Sequence, residues 1–248
     1  MIKVFESLLI SFSFVLLSLI LIFKEKLGIG KEIFIAEIMA LIQLVVLGYV
    51  IGIVFNLGIY YASIMILFMV SVSAFMVKRN VTKEKNRKIV CAAFLSTITI
   101  TIISLIILTV SKTVLFEVRY LIPLMGMVIG NSTNAMSIGL ERFLSDLKSE
   151  KDVLWGYLAL GATEKQAVNT FVKKAVRAAL TPHLNSTKAV GLIFIPGAMV
   201  GMLLAGVDPL EAAKVQITIM WMIMASNIFS VTIACYLLYK EFIHQISS

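Results

Sequence analysis

Residues 154–185, LWGYLALGATEKQAVNTFVKKAVRAALTPHLN, form a polar, basic stretch between long apolar runs. Its small and apolar residues recur every four positions: Ala167, Phe171, Ala175 and Ala179. This period is typical of a helix with one buried face. Gly161 interrupts the pattern, and Thr163 is placed to cap a helix that begins at Glu164. We therefore predict a helical hairpin over residues 140–189 with a tight turn near its centre.

The composition places this hairpin in a membrane protein. The chain has 248 residues, of which 60% are hydrophobic and 15% charged, and its mean hydropathy is +0.99. Soluble domains are less apolar and more highly charged, which argues against a globular enzyme or a nucleic-acid-binding protein. Cys91 and Cys235 lie inside apolar segments, where we interpret them as packing residues.

Seven apolar runs are long enough to cross a bilayer as helices. They cover residues 5–23, 34–55, 58–76, 89–110, 119–139, 190–206 and 211–239. The last begins after Asp208 and Pro209, which suit the cap and first position of a helix. We predict an all-α, polytopic membrane protein with about seven transmembrane helices, forming one membrane domain over residues 1–248.

The distribution of basic residues predicts the orientation. With the N-terminus outside, all but four of the 22 Lys and Arg residues fall in inside segments, and the exceptions are Lys3, Lys112, Arg119 and Lys214. Cytoplasmic loops of membrane proteins collect such residues. The chain is therefore expected in the cytoplasmic (inner) membrane, multi-pass, with its C-terminus and the hairpin inside.

Small residues and prolines mark expected helix contacts and kinks. Three glycine pairs have the spacing that lets helices approach closely, and two of them follow a proline. These residues are Gly48, Gly52, Pro123, Gly126, Gly130, Pro196, Gly197 and Gly201.

The hairpin admits two interpretations. Lys173, Lys174 and Arg177 would suit a helix that rests on anionic lipid, whereas an exposed turn would suit a cytoplasmic partner protein. The sequence contains no GxxxxGK[ST] phosphate loop, no HExxH motif and no Cys/His cluster, and His183 and His244 are isolated in sequence. These absences favour a transporter component whose energy source is a separate protein.

Several segments carry a resemblance to a known family. They are IQLVVLGYV, GNSTNAMSIGL, LALGATEKQA, RAALTP, VGLIFIPGAMVGMLLAGVDPLEAAKVQI and IACYLLY. The sequence resembles the membrane subunit of the Fet-type iron-export ABC transporter family, which includes plant aluminium-tolerance permeases. The resemblance implies a homodimeric permease that works with a cytoplasmic ATP-binding subunit and moves iron or a related metal. ATP and Mg²⁺ would bind to that partner, with no cofactor on this chain.

We assign ATPase coupling to the LGAT turn (Leu160–Thr163) and the residue after it. The glycine permits the turn, and small neighbours would let its tip enter a groove. The proposed coupling residues are Leu160, Gly161, Ala162, Thr163 and Glu164.

Polar residues inside the spans are candidates for a translocation path: Glu37, Gln43, Asn131, Asn134, Gln216 and Asn227. Such amides also bridge helices in lipid, and Glu37 could extend to the interface or pair with Lys31, so both interpretations stay open. Oxygen ligands alone select a first-row transition metal poorly. Met127 and Met136 are the weak metal-ligand candidates, with packing as the alternative.

Three other functions remain as alternatives. An ABC permease could carry another cargo, such as a lipid, a drug or a different metal. An ion-coupled secondary carrier would need more intramembrane acidic residues than this sequence offers. A membrane sensor could use the hairpin to bind a regulator without transport.

Overall fold

The computed structural model describes residues 10–82, 86–111 and 116–247. Within these ranges the regular structure is helical, apart from one isolated bridge between Val190 and Phe194. The helices are α1 (Ser13–Lys24), α2 (Gly30–Leu57), α3 (Ile59–Val81), α4 (Arg87–Ser111), α5 (Val118–Ser149), α6 (Lys151–Ala159), α7 (Glu164–Ala189), α8 (Gly197–Leu204) and α9 (Pro209–Ser247). The predicted all-α class is confirmed. Residues 5–9 of the first predicted span lie outside the described residues.

The chain divides into two compact units after Gly58. In the first unit, α1 packs against α2 through a turn in which Gly28 has φ +75°. Gly30 lies against the Phe23 ring, 3.3 Å from where a Cβ would stand. Helix α2 has 28 residues, enough to cross a bilayer, and most of its apolar side chains are exposed. An apolar surface of this kind suits lipid better than water.

The second unit is a bundle in which α5 is the central helix. Helix α5 packs against α3, α4, α7 and α9. Four described helices, α2, α3, α4 and α9, are long and apolar enough to cross a membrane. Helix α5 is less apolar because it contains the segment GNSTNAMS at 130–137. Since neighbouring helices shield it from lipid, its polar side chains can be hydrogen-bonded within the protein.

Two apolar clusters hold the bundle together. One is centred on aromatic side chains of α5, α7 and α9: the Phe143 and Phe242 ring centroids lie 5.8 Å apart, and Phe171 belongs to the same cluster. The other surrounds Met125 and Val128 of α5. Each cluster contacts the central helix, so α5 fixes the positions of the elements that flank it.

The closest approach between helices at a glycine is at Gly139, which is not one of the predicted contact glycines. A Cβ at Gly139 of α5 would lie 2.6 Å from Val231 Cγ1 on α9 and 3.3 Å from Ala179 Cβ on α7. At the predicted contact residue Gly126, the added atom would lie 3.2 Å from Met69 of α3. At Gly130 it would meet nothing within 4 Å.

The hairpin differs from its predicted boundaries. Helix α5 continues without a break past residue 139 to Ser149, and the second arm, α7, extends 26 residues to Ala189. The far half of α7 packs beside α5 and α9, as the contacts of Ala179 show. Helix α7 therefore extends from the turn into the bundle.

The predicted sixth span, 190–206, is not one continuous helix. Helix α7 ends before Val190, Gly191 adopts φ +78°, and the eight-residue α8 starts only after Pro196. Proline lacks a backbone N–H and disfavours a helical residue before it, which explains the interruption. Apolar composition alone did not reveal this break.

The start of the last helix is confirmed in detail. Asp208 Oδ1 accepts hydrogen bonds from the backbone N–H groups of Leu210 at 2.9 Å and Glu211 at 3.3 Å. Pro209 opens α9, which then runs for 39 residues. At 1.5 Å per residue, this helix is about 58 Å long, more than a bilayer core needs.

Candidate functional site

The LGAT turn has a geometry that its residues specify locally. Gly161 has φ +88°, and its N–H donates to the carbonyl of Leu158 at 3.0 Å, while Ala162 N–H donates to that of Tyr157 at 3.0 Å. These two bonds form a Schellman motif, which closes the end of α6. A bulky residue at the glycine would be strained because L side chains rarely adopt this φ.

The start of α7 is capped as predicted. Thr163 Oγ1 accepts from Gln166 N–H at 3.3 Å, and Gln166 Oε1 accepts from Thr163 N–H at 2.9 Å. This reciprocal pair is a capping box. With both helix ends closed within four residues, the turn has few free backbone groups, and the Leu160 side chain projects from it with 88% of its surface exposed.

The hairpin is braced against the bundle. Lys174 of α7 donates to both carboxylate oxygens of Glu150, at 2.8 and 2.9 Å. Leu154 of α6 and Phe171 of α7 are buried in the same apolar cluster as Phe143 of α5. Both arms of the hairpin are therefore anchored in the apolar cluster of the bundle.

A polar cavity of about 170 Å³ lies between α5, α7 and α9. Its lining brings together two of the predicted path residues of α5 with one of α9 and adds polar residues of α7. The polar lining residues are Asn131, Asn134, His183, Ser186 and Asn227. His183 is 19 residues after Glu164 on α7, so the same helix joins the LGAT turn to this cavity over about 28 Å.

Two buried polar atoms at the cavity have no hydrogen-bond partner among the described residues: His183 Nε2 and Asn227 Oδ1. Asn227 is only 3% exposed. The backbone of Met220 on α9 also interacts with the His183 ring. Unpaired buried polar atoms are costly, so two such atoms at one cavity require a partner.

The asparagines of α5 also line a second cavity, of about 510 Å³, on the side facing α3. Asn131 Nδ2 donates to the Met127 carbonyl at 2.8 Å, so this side chain leaves its oxygen for a further contact. Asn134 is exposed and marks the edge of both cavities. Asn131 and Asn134 therefore line both cavities, one on each side of α5.

A hydrogen-bonded pair fixes α3 to α5 beside the second cavity. Thr133 Oγ1 donates to the Ile129 carbonyl at 2.6 Å, which leaves the hydroxyl oxygen to accept from Ser73 Oγ, also at 2.6 Å. Both side chains are buried. Such bridging is the structural role that polar residues usually have in membrane helices.

The other predicted path residues lie elsewhere. Gln216 is buried, with Oε1 unpartnered among the described residues, but it lies 11 residues before Asn227 on the same face of α9, about 16 Å away. Glu37 and Gln43 are exposed on α2 in the first unit. Their role in a path stays a prediction.

The remaining candidates have these positions. Met136 is fully buried in the cluster around Phe143, and Met127 is partly buried against the cluster around Met125. Pro123 lies inside α5, and Pro196 precedes α8. Exposed positions are occupied by Gly48 and Gly52 on α2 and by Gly197 and Gly201 on α8, where an added Cβ would meet nothing within 4 Å.

Sequence reasoning missed His183 and Ser186. His183 is isolated in sequence from other metal-ligating residues, yet it continues the four-residue series of α7 by one step beyond Ala179. Extending that period would have pointed to it. In the described residues no group of three or more His, Cys, Asp or Glu side chains could hold a metal ion, so a metal here would need amide or hydroxyl oxygens as well.

Comparison with known proteins identifies relatives over nearly the whole chain. The profile of the family described as "Uncharacterised protein family (UPF0014)" matches residues 5–243. The chain is 35% identical to the "Probable iron export permease protein FetB" of Escherichia coli (strain K12), covering 96% of this chain and 91% of that protein.

Plant proteins are similar as well. The chain is 34% identical to "Protein ALUMINUM SENSITIVE 3" of Arabidopsis thaliana, covering 92% of this chain and 83% of the relative. It is 32% identical to "UPF0014 membrane protein STAR2" of Oryza sativa subsp. japonica, covering 92% and 80%. No solved structure matches the chain.

Proposed function

Because the chain belongs to the UPF0014 family of membrane permeases, we propose that it is the permease subunit of an ABC transporter that exports iron or a related metal. A separate cytoplasmic subunit would bind ATP and Mg²⁺ and hydrolyse the nucleotide. The chain would thus be a transporter component rather than an enzyme, located in the inner membrane as a multi-pass protein with the N-terminus outside and the C-terminus inside.

The observation that carries this proposal is the braced turn with an exposed apolar tip. Leu160 is 88% exposed, on a turn closed by a Schellman motif and a capping box. A leucine so placed gains free energy when a partner covers it, about 1.5–3 kcal/mol for full burial. The groove of an ATPase subunit on the cytoplasmic side is the proposed site of that burial.

Helix α7 supplies the mechanical link. Its first residues follow the turn, and its far half carries His183 and Ser186 in the polar cavity. Closure of the ATPase subunits would displace the turn, and the packed helix would carry that displacement to the cavity wall. The interruption at Gly191 and Pro196 would allow α7 to move without displacing α8.

We propose a homodimer that encloses the path. Asn134 and Ser186 lie at the edge of the cavity and are exposed in the single chain. Polar side chains facing lipid are unfavourable, whereas a second copy placed over this face would pair them and complete a polar passage. Two permeases would then present two LGAT turns to two ATPase subunits.

The first experiment tests the coupling turn with a matched pair of variants. Gly161→Leu places a bulky side chain at φ +88°, and Gly206→Leu does the same at φ +84° in the loop before α9, with no neighbour within 4 Å at either position. We expect Gly161→Leu to abolish co-purification of the ATPase subunit and Gly206→Leu to retain it. Equal recovery of the ATPase with both variants would refute the coupling role.

The second experiment tests transport. Vesicles that contain both subunits should move iron in an ATP-dependent manner, and copper and manganese are the comparison metals. Flux by the permease alone, without an ATPase, would instead support a secondary carrier and contradict the proposal.

A further inference from the structure

The cavity between α5, α7 and α9 holds unsatisfied groups that point to a ligand. His183 Nε2 and Asn227 Oδ1 are both inaccessible to solvent and unpartnered among the described residues, and Asn227 as a whole is 3% exposed. Both residues line the same 170 Å³ space. Buried polar atoms are nearly always paired, with protein groups or with a bound water or ion, so these two atoms indicate that the cavity holds an occupant.

The electron-pair donor atoms of the cavity suit a metal ion better than an organic molecule. The imidazole nitrogen and the amide oxygens of Asn227 and Asn131 are electron-pair donors, and Asn131 already uses its Nδ2 on the Met127 carbonyl. Ser186 Oγ donates to the Pro182 carbonyl at 3.1 Å, which leaves its oxygen lone pairs. A liquid water molecule occupies about 30 Å³, so the cavity has room for an ion and a few waters.

The imidazole of His183 indicates which class of metal ion the cavity would bind. Oxygen donors alone would favour Mg²⁺ or Ca²⁺, whereas an imidazole nitrogen suits first-row transition metals. The cavity lining includes no carboxylate or thiolate. A neutral set of donors binds a dication weakly and releases it readily, as a transport step requires and a structural metal site does not.

We propose that this cavity is a binding station for a partly hydrated divalent first-row transition-metal ion, with His183 Nε2 as the selecting ligand and Asn227 and Asn131 as oxygen ligands. The proposal rests on the proposed metal-permease function and adds the site at which the ion is held. His183 is on α7, the helix that begins directly after the LGAT turn, so coupling would move His183 relative to the asparagines and weaken the site.

The test uses the full chain, purified in detergent with a tag that contains no histidine and titrated anaerobically with CoCl₂, whose visible absorption reports nitrogen ligation. We expect His183→Gln to weaken Co²⁺ binding at least by the roughly 10- to 100-fold that loss of a supporting residue costs at metal sites. The matched control is His244→Gln, near the end of α9 and outside the cavity, which should bind as the unmodified chain does.

A second variant separates a ligand role from a purely structural one. Asn227→Asp keeps the shape and adds a charged oxygen ligand, so Co²⁺ should bind more tightly and raise the melting temperature of the variant. If Asn227 were only a packing residue, the buried carboxylate would destabilise the protein with and without Co²⁺. Weaker or unchanged Co²⁺ binding by a folded Asn227→Asp variant would contradict the assignment.

The outcomes also distinguish this inference from the function on which it rests. Co²⁺ binding unaffected by His183→Gln, or full displacement of Co²⁺ by Mg²⁺, would overturn the site even if ATP-driven iron flux is observed. Conversely, His183-dependent Co²⁺ binding without metal flux in the presence of an ATPase subunit would support the site and refute the export function.

Discussion

The contact at Gly139 allows a quantitative test of the bundle. A methyl group added there would lie 2.6 Å from Val231 Cγ1, about 1 Å closer than an ordinary contact. Val231 is fully buried and β-branched, so its side chain cannot rotate away cheaply. Overpacking of this kind costs about 1–3 kcal/mol.

The matched control is Gly130→Ala on the same helix, where the added Cβ would meet nothing within 4 Å. Both substitutions gain the same helix propensity, up to about 1 kcal/mol, so the difference between them isolates the packing cost. At 2 kcal/mol, Gly139→Ala should melt about 4–8 °C below Gly130→Ala for a chain of this size. The measurement is thermal unfolding in detergent, followed by tryptophan fluorescence.

A compensating change identifies the contact itself. Val231→Ala alone leaves a small cavity and should destabilise the chain, but in the double variant the new methyl group at 139 refills part of that space. We expect a favourable coupling free energy of about 0.5–3 kcal/mol. Equal melting temperatures of Gly139→Ala and Gly130→Ala, or strictly additive effects with Val231→Ala, would refute the close packing of α5 on α9.

Three further predictions concern the turn and the bridge between α3 and α5. Thr163→Ala removes the capping box with Gln166 and should cost about 1 kcal/mol, seen as faster amide exchange in the first turn of α7 alone; unchanged exchange would contradict the cap. Leu160→Asp should reduce ATPase recovery without lowering the melting temperature, because the side chain is exposed; a drop in melting temperature would indicate packing instead. Thr133→Val leaves the buried Ser73 hydroxyl unpaired and should cost about 1–3 kcal/mol, and most of this loss should be recovered in the double variant with Ser73→Ala, as measured by denaturation.

Local signals predicted the local structure well. The cap at Thr163, the turn at Gly161 and the start of α9 at Asp208 each depend on residues within about four positions of one another, and all three are confirmed. The family resemblance is likewise confirmed over 96% of the chain by the E. coli relative. These features need no knowledge of which helices touch.

The predicted sixth span failed for a reason that hydropathy cannot detect. Residues 190–206 are apolar throughout, so a composition window treats them as one helix, but Gly191 and Pro196 interrupt the backbone. The amphipathic α7, which we predict as one arm of a cytoplasmic hairpin, packs within the bundle because α5 and α9 shield its buried face. The hydropathy of a segment indicates whether it faces lipid or water. It does not indicate whether the segment forms one continuous helix.

The amino-acid sequence by itself determined that this protein is helical, apolar enough for a membrane and turned sharply at Leu160–Thr163, because composition, period and capping are properties of neighbouring residues. Only the tertiary structure decided that His183 lines the same cavity as Asn131 and Asn227, residues 52 and 44 positions away along the chain. Whether polar side chains bridge helices, face lipid or share a cavity depends on how three helices pack, and that packing is set by long-range contacts such as Gly139 against Val231.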